Sequence, residues 1–157
     1  MFSLIISIIS IALVAALAAA TVYFGGAAFN KGSAGAEASA FINAGQQIAG
    51  AFTLALTDGD TDAATVGALA NDTGEVYLTQ VPTYKGTALS LSVVPGLEDY
   101  VSVTSIVSNN VCEEIVDRAG VAAPADEAAL VALTSKPLFT CIEGGTPAAN
   151  VAYYKVK

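Results

Sequence analysis

Met1–Asn30 reads MFSLIISIISIALVAALAAATVYFGGAAFN, thirty residues without a charged side chain, and the first charge of the chain is Lys31. A secretory signal peptide is the ordinary explanation of an apolar N-terminus. Such peptides, however, carry a basic segment ahead of a shorter apolar core and end at a small-residue cleavage site. Here the apolar run begins at Phe2 with no Lys or Arg before it, and Val22, Tyr23 and Phe24 prolong it past Ala18-Ala19-Ala20. The segment is therefore expected to be retained. Phe2 to Phe24 supplies the roughly 20 apolar helical residues that cross a bilayer core. Tyr23 and Lys31 can anchor one end at an interface, and nothing anchors the other. Ala12, Ala15, Ala16, Ala18, Ala19 and Ala20 are small enough to let helices approach one another closely, so the segment suits packing against copies of itself as well as lipid.

Gly25-Gly26 is expected to bend or locally unwind the helix, since each glycine costs about 1 kcal/mol relative to Ala in a helix interior. The helical period then resumes. From Ala36 to Leu56 the residues Phe41, Ala44, Ile48, Phe52 and Ala55 recur at three- and four-residue steps with Leu56 beside them, marking one buried stripe, while Asn43, Gln46, Gln47 and Thr53 fall outside it. Gly45 and Gly50 weaken this helix but permit close packing. A helix from the N-terminus to Leu56 would be about 80 Å long at 1.5 Å per residue. That exceeds the width of a small domain, so its first half is expected to project.

The chain of 157 residues thus divides into an apolar helix over 1–30 and one head over 31–157 that includes the second half of the long helix. Fourteen Asp and Glu against six Lys and Arg make the chain acidic, which disfavours nucleic-acid phosphate as a partner. Histidine is absent, and with it the commonest general base and metal ligand. No Ser-Lys spacing stands out, so neither a catalytic site nor a cofactor or metal site is expected. The two cysteines, Cys112 and Cys141, cannot make a four-ligand zinc site without His. Pairing with each other is the natural reading, a disulfide that would place the head outside the cytoplasm; the alternative is two buried free thiols in a reducing compartment.

After Thr57, TDGDTDAAT ends the long helix, and Thr61 or Asp62 is positioned to cap a short helix from Val66 to Leu69. Asp58, Asp60 and Asp62 match the start of a calcium loop. Ala63 stands where that loop wants Gly and Leu69 where it wants Glu, so a solvated turn is the better reading. EVYLTQVPTYKG reads as an extended piece and loop. TALSLSVVPG and DYVSVTSIVS alternate as half-buried strands around the turn Pro95-Gly96, and PLFTCIEGG and NVAYYKVK form a last strand pair joined at Gly144-Gly145. Between them Asn109 or Asn110 is expected to cap VCEEIVDRAG, with Glu113 and Glu114 in its first turn and Gly120 past its end. Pro124 and Asp126 are expected to open a second short helix through about Leu133. The fold expected is α+β, with a long N-terminal helix on a small antiparallel sheet.

Several strings, in this order and spacing, resemble a type IV pilin of the type IVb group. GQQIAGAF at 45–52 resembles the mid-helix segment of such pilins, and VGALANDTGEVYLTQVP at 66–82 the short helix and loop that follow. VCEEIVDRAG at 111–120 resembles the cysteine-bearing helix, and CIEGG at 141–145 and NVAYYKVK at 150–157 the closing cysteine and last strand. The resemblance implies a major pilin. Such a subunit is inserted in the inner membrane, cut by a prepilin peptidase, methylated at its new N-terminus and polymerised into an extracellular surface fimbrium. Met1, Phe2, Leu4, Ile5, Ile8, Ile9, Leu13 and Leu17 would then build the filament core, with further copies of the chain as the partner. One departure stands out: Ile5 occupies the place of the family's N-terminal glutamate, and counting from Phe2 puts Ile6 there. The Met1 amine would need carbonyls, the Ser3 or Ser7 hydroxyl, or water as partner. A membrane-anchored binding protein that does not polymerise, or a minor pseudopilin, is the alternative expectation. Tyr23, Phe24 and Phe29 are read as packing aromatics, and the glycosylation-like triplet at Asn71 is a weak match.

Overall fold

In a computed structural model, the structure describes residues 2–59, 65–71, 76–92, 94–144 and 149–157. Helix α1 runs Phe2–Asp58, 57 residues. It continues through Gly25 and Gly26, so the expected unwinding there is corrected. Opening the helix would strip amide groups of their partners amid apolar side chains, a larger cost than the glycine penalty of about 1 kcal/mol each. The chain forms two compact units, Met1–Ala34 and Gly35–Lys157, divided within α1.

In the second unit α1 buries the expected stripe, Phe41, Ala44, Ile48, Phe52 and Ala55, extended by Ala38 and Ala51. Leu56, expected beside the stripe, is 67% exposed, turned out at the last turn. Asn43, Gln46, Gln47 and Thr53 face solvent as their spacing requires. A short helix α2 spans Ala68–Asn71, and the caps expected at Thr61 or Asp62 lie outside the described residues. Strands β1 (Thr83–Tyr84) and β2 (Thr87–Ala88) form a hairpin that joins the end of the stretch expected to be extended chain and loop to the start of TALSLSVVPG, expected as a strand. Its two-residue turn places Lys85 at φ 49° and Gly86 at φ 81°. Successive left-handed residues match the twist of paired strands.

The main sheet holds β3 (Ser90–Leu91), β4 (Tyr100–Val107), β5 (Phe139–Ile142) and β6 (Asn150–Lys155) in the order β3-β4-β6-β5, with every neighbour antiparallel. The turn between β3 and β4 is closed by Leu97 N–H on the Val94 carbonyl at 3.0 Å, with Gly96 at φ 87°. Strand β6 is central, and its consecutive Ala152, Tyr153 and Tyr154 are all buried, so the sheet is covered on both faces. On one side Tyr154 lies against Gly45 of α1. On the other, Tyr153 joins Tyr100, Leu97, Leu130 and Ile142 in one cluster.

Helix α3 spans Asn109–Ala119 and α4 spans Glu127–Ala132. The N-cap of α3 is Ser108, which makes no side-chain cap bond, in place of the expected Asn109 or Asn110. The Asn109 side chain is engaged elsewhere, accepting from Asn150 Nδ2 at 2.9 Å. Glu113 and Glu114 consequently fall past the first turn, which holds no acid. Gly120 ends α3 at φ 66°, and Asp126 caps α4 by accepting from Ala129 N–H at 2.7 Å. Cys112 and Cys141 form a disulfide, Cα–Cα 5.2 Å, that ties α3 to β5. Closing that loop contributes about 3 to 4 kcal/mol in the chain-entropy account.

Candidate functional site

The first unit presents an apolar surface on all sides of a single helix. Of the residues expected to act in a filament core, Phe2, Leu4, Ile5, Ile8, Ile9, Leu13 and Leu17 are each between 52% and 84% exposed; Met1 lies outside the described residues. Ile6, Ile11, Val14, Val22, Tyr23, Phe24 and Phe29 are exposed with them. These side chains do not converge on one stripe. They point around the whole circumference, as in a helix that buries every face in lipid or in other helices. The most apolar 18-residue window has a mean hydropathy of 2.6, none of it buried, so the helix is long and apolar enough to cross a membrane. A shallow apolar groove runs between Ser10, Ile11, Val14, Ala15 and Ala18.

Hydroxyls of this unit bond to their own helix. Ser7 donates to the Ser3 carbonyl at 2.9 Å, Ser10 to Ile6 at 2.8 Å, Thr21 to Ala18 at 2.9 Å and Ser33 to Asn30 at 3.0 Å. A hydroxyl bonded in this way can enter a dry environment without losing a partner. The bond also commits the Ser7 hydrogen to Ser3, leaving Ser7 only lone pairs to offer the Met1 amine. Tyr23 and Phe24 meet edge to face at 5.4 Å.

In the second unit the charged and phenolic groups serve the packing of the sheet. Lys85 Nζ lies 2.7 Å from Glu37 Oε2, which also accepts from the Tyr84 hydroxyl at 3.4 Å, and the Tyr84 ring meets Phe41 edge to face at 6.0 Å. Burial, reinforced by Glu37, pushes the Tyr84 phenol up to about 12. Burial and then Asp99 push Tyr100 up to about 12, and its hydroxyl donates to the Pro137 carbonyl at 2.6 Å. Tyr153 is raised by burial and by its hydrogen bond to Glu127 Oε1 at 2.5 Å. Arg118 bridges Glu114 at 2.9 Å and the Ser39 hydroxyl of α1 at 2.6 Å. Sequence reasoning missed the Glu37–Tyr84–Lys85 cluster. Its only signal was Lys-Gly at a hairpin turn.

Among the described residues no group of three or more His, Cys, Asp or Glu is placed to hold a metal ion. Of the three aspartates that resemble a calcium loop, Asp58 ends α1, and Asp60 and Asp62 lie outside the described residues. Compared with protein-family models, curated proteins and solved structures, the chain matches none.

Proposed function

We propose that this chain is the structural subunit of an extracellular filament of the type IV pilin kind, held in the inner membrane before assembly and polymerised through the apolar half of α1. The observation that carries this reading is the first unit itself, a helix with bulky apolar side chains exposed on every face and the Ser7, Ser10 and Thr21 hydroxyls bonded to its own carbonyls. Full burial of a Leu, Ile or Phe side chain contributes about 1.5 to 3 kcal/mol. Once the helix has left the bilayer, returning a handful per copy to water would offset the about 4 to 15 kcal/mol of freedom regained on dissociation, so an assembled filament does not disperse in water. The alanines between them allow close approach where lipid, rather than water, is the competing solvent. The disulfide suits a head that works outside the cytoplasm. On this reading the chain has no enzymatic role, and its interface is head-to-tail, which generates an open helical polymer.

The second reading, a membrane-anchored protein or minor pseudopilin that does not polymerise, is favoured by the same helix being long and apolar enough to span a bilayer. Electron microscopy of surface material from cells making the chain separates the two. Helical fibres built of this protein support the filament, and single copies confined to membrane support the anchor. Mass spectrometry of the same material should find Met1 methylated if processing follows the pilin route.

A further inference from the structure

Lys31 is the only charged side chain among the first 36 residues, so beyond the Met1 amine the apolar unit carries one cation and no acid. Its neighbours at three- and four-residue steps are Ala27, Ala28, Ala34 and Gly35, so no ion pair along the helix is open to it. The nearest acid in sequence, Glu37, is held by Lys85 at 2.7 Å and by the Tyr84 hydroxyl. Lys31 is exposed and joins neither of the ion pairs found among the described residues. Helix packing around this position would take an ammonium out of bulk water, which is strongly unfavourable unless an anion meets it. Residues 35–157 carry all fourteen carboxylates of the chain against its other five cations. The two units thus have opposite charge, and every copy holds both halves of a complementary contact.

We infer that Lys31 is the electrostatic register of assembly: its ammonium pairs with a carboxylate on the head of a second copy, and this contact fixes how far one α1 slides along the next. The inference rests on the filament reading. Apolar helices alone select register weakly, because many offsets bury similar area, whereas one cation among carbon side chains penalises every offset that leaves it unpaired. Because donor and acceptor sit on different parts of the chain, the contact does not close on itself in a pair and can be repeated along a fibre.

The test uses the full-length chain in detergent, with polymer measured by sedimentation and electron microscopy after detergent removal. Wild type should polymerise, and its critical concentration should rise with added salt. Lys31→Gln should raise the critical concentration about tenfold and remove most of that salt dependence, Lys31→Glu should abolish ordered fibres, and Lys31→Arg should restore them. Since Lys31 is exposed in the monomer, circular dichroism of all three variants should match wild type. If Lys31→Gln polymerises like wild type, the register role is wrong while the filament stands. If wild type makes no polymer, the filament reading falls first and this inference with it. A Lys31→Gln defect confined to binding of anionic phosphatidylglycerol vesicles, with unchanged fibres, would give the ammonium a lipid partner and overturn the proposal.

Discussion

Gly45 of α1 lies directly beneath the ring of Tyr154 of β6, so close that a Cβ at position 45 would approach the ring carbons to under 3.0 Å. Helix and sheet meet here at the distance of a side chain against a backbone, and Phe41 and Ile48 pack in the turns on either side.

Gly45→Ala should therefore destabilise the head by about 1 to 3 kcal/mol, overpacking outweighing the gain in helix propensity. Gly50→Ala is the control, because a Cβ there meets nothing within 4 Å and the site is exposed. That variant should be stabilised by about 0.5 to 1 kcal/mol. Thermal unfolding of both variants checks the pair.

The buried Asn150 amide is fully used. Nδ2 donates to the Val107 carbonyl at 3.0 Å and to Asn109 Oδ1 at 2.9 Å, and Oδ1 accepts from Gly144 N–H at 3.2 Å. Asn150→Ala should cost about 1 to 3 kcal/mol by stranding the buried Val107 carbonyl at the β4–α3 junction and removing two further hydrogen bonds. Urea denaturation should show a lowered midpoint with an unchanged slope.

Tyr84 and Tyr100 both hold their protons up to about 12 in the folded state, against 10.0 for an unperturbed phenol. A raised folded value means that the stability these groups contribute is fully present below pH 10 and is lost as pH climbs from 10 toward 12. Stability measured from pH 8 to 12 should fall across that window. Tyr84→Phe, which removes one titrating phenol, should make the fall shallower.

Reducing Cys112–Cys141, or replacing both residues by Ala, should lower head stability by about 2 to 4 kcal/mol. Both sulfurs belong to fully buried residues, so the folded protein should resist mild thiol reductants and yield only under denaturing conditions.

Much of this architecture was legible because its signals are local and periodic. The buried stripe from Phe41 to Ala55 follows the helical period, β4 alternates Val with small polar residues, and Asp126 stands where a cap belongs. What escaped depends on distant partners. Asn109 or Asn110 stands where a cap of α3 belongs, but Asn150, which is 41 residues from Asn109 in sequence, claims the Asn109 side chain. The β1–β2 hairpin hid behind Lys85, a residue type seldom found at positive φ. The glycine pair at 25 and 26 promised an interruption that helix continuity overrides. For the candidate site, the apolar rod was readable from composition, whereas the bonding of Ser7, Ser10 and Thr21 to their own helix needed coordinates.

The central claim is that copies of this chain pack through the apolar half of α1, and cross-linking at Leu13 tests it most directly. The described cysteines are both in the disulfide, so Leu13→Cys adds the single free thiol among them. Because a head-to-tail contact staggers identical positions, treating surface material carrying this variant with lipid-soluble bismaleimides of graded length should yield covalent dimers of the full-length chain that are absent from detergent-dispersed monomers. Monomers alone, with the thiol open to a lipid-soluble maleimide, would contradict the account.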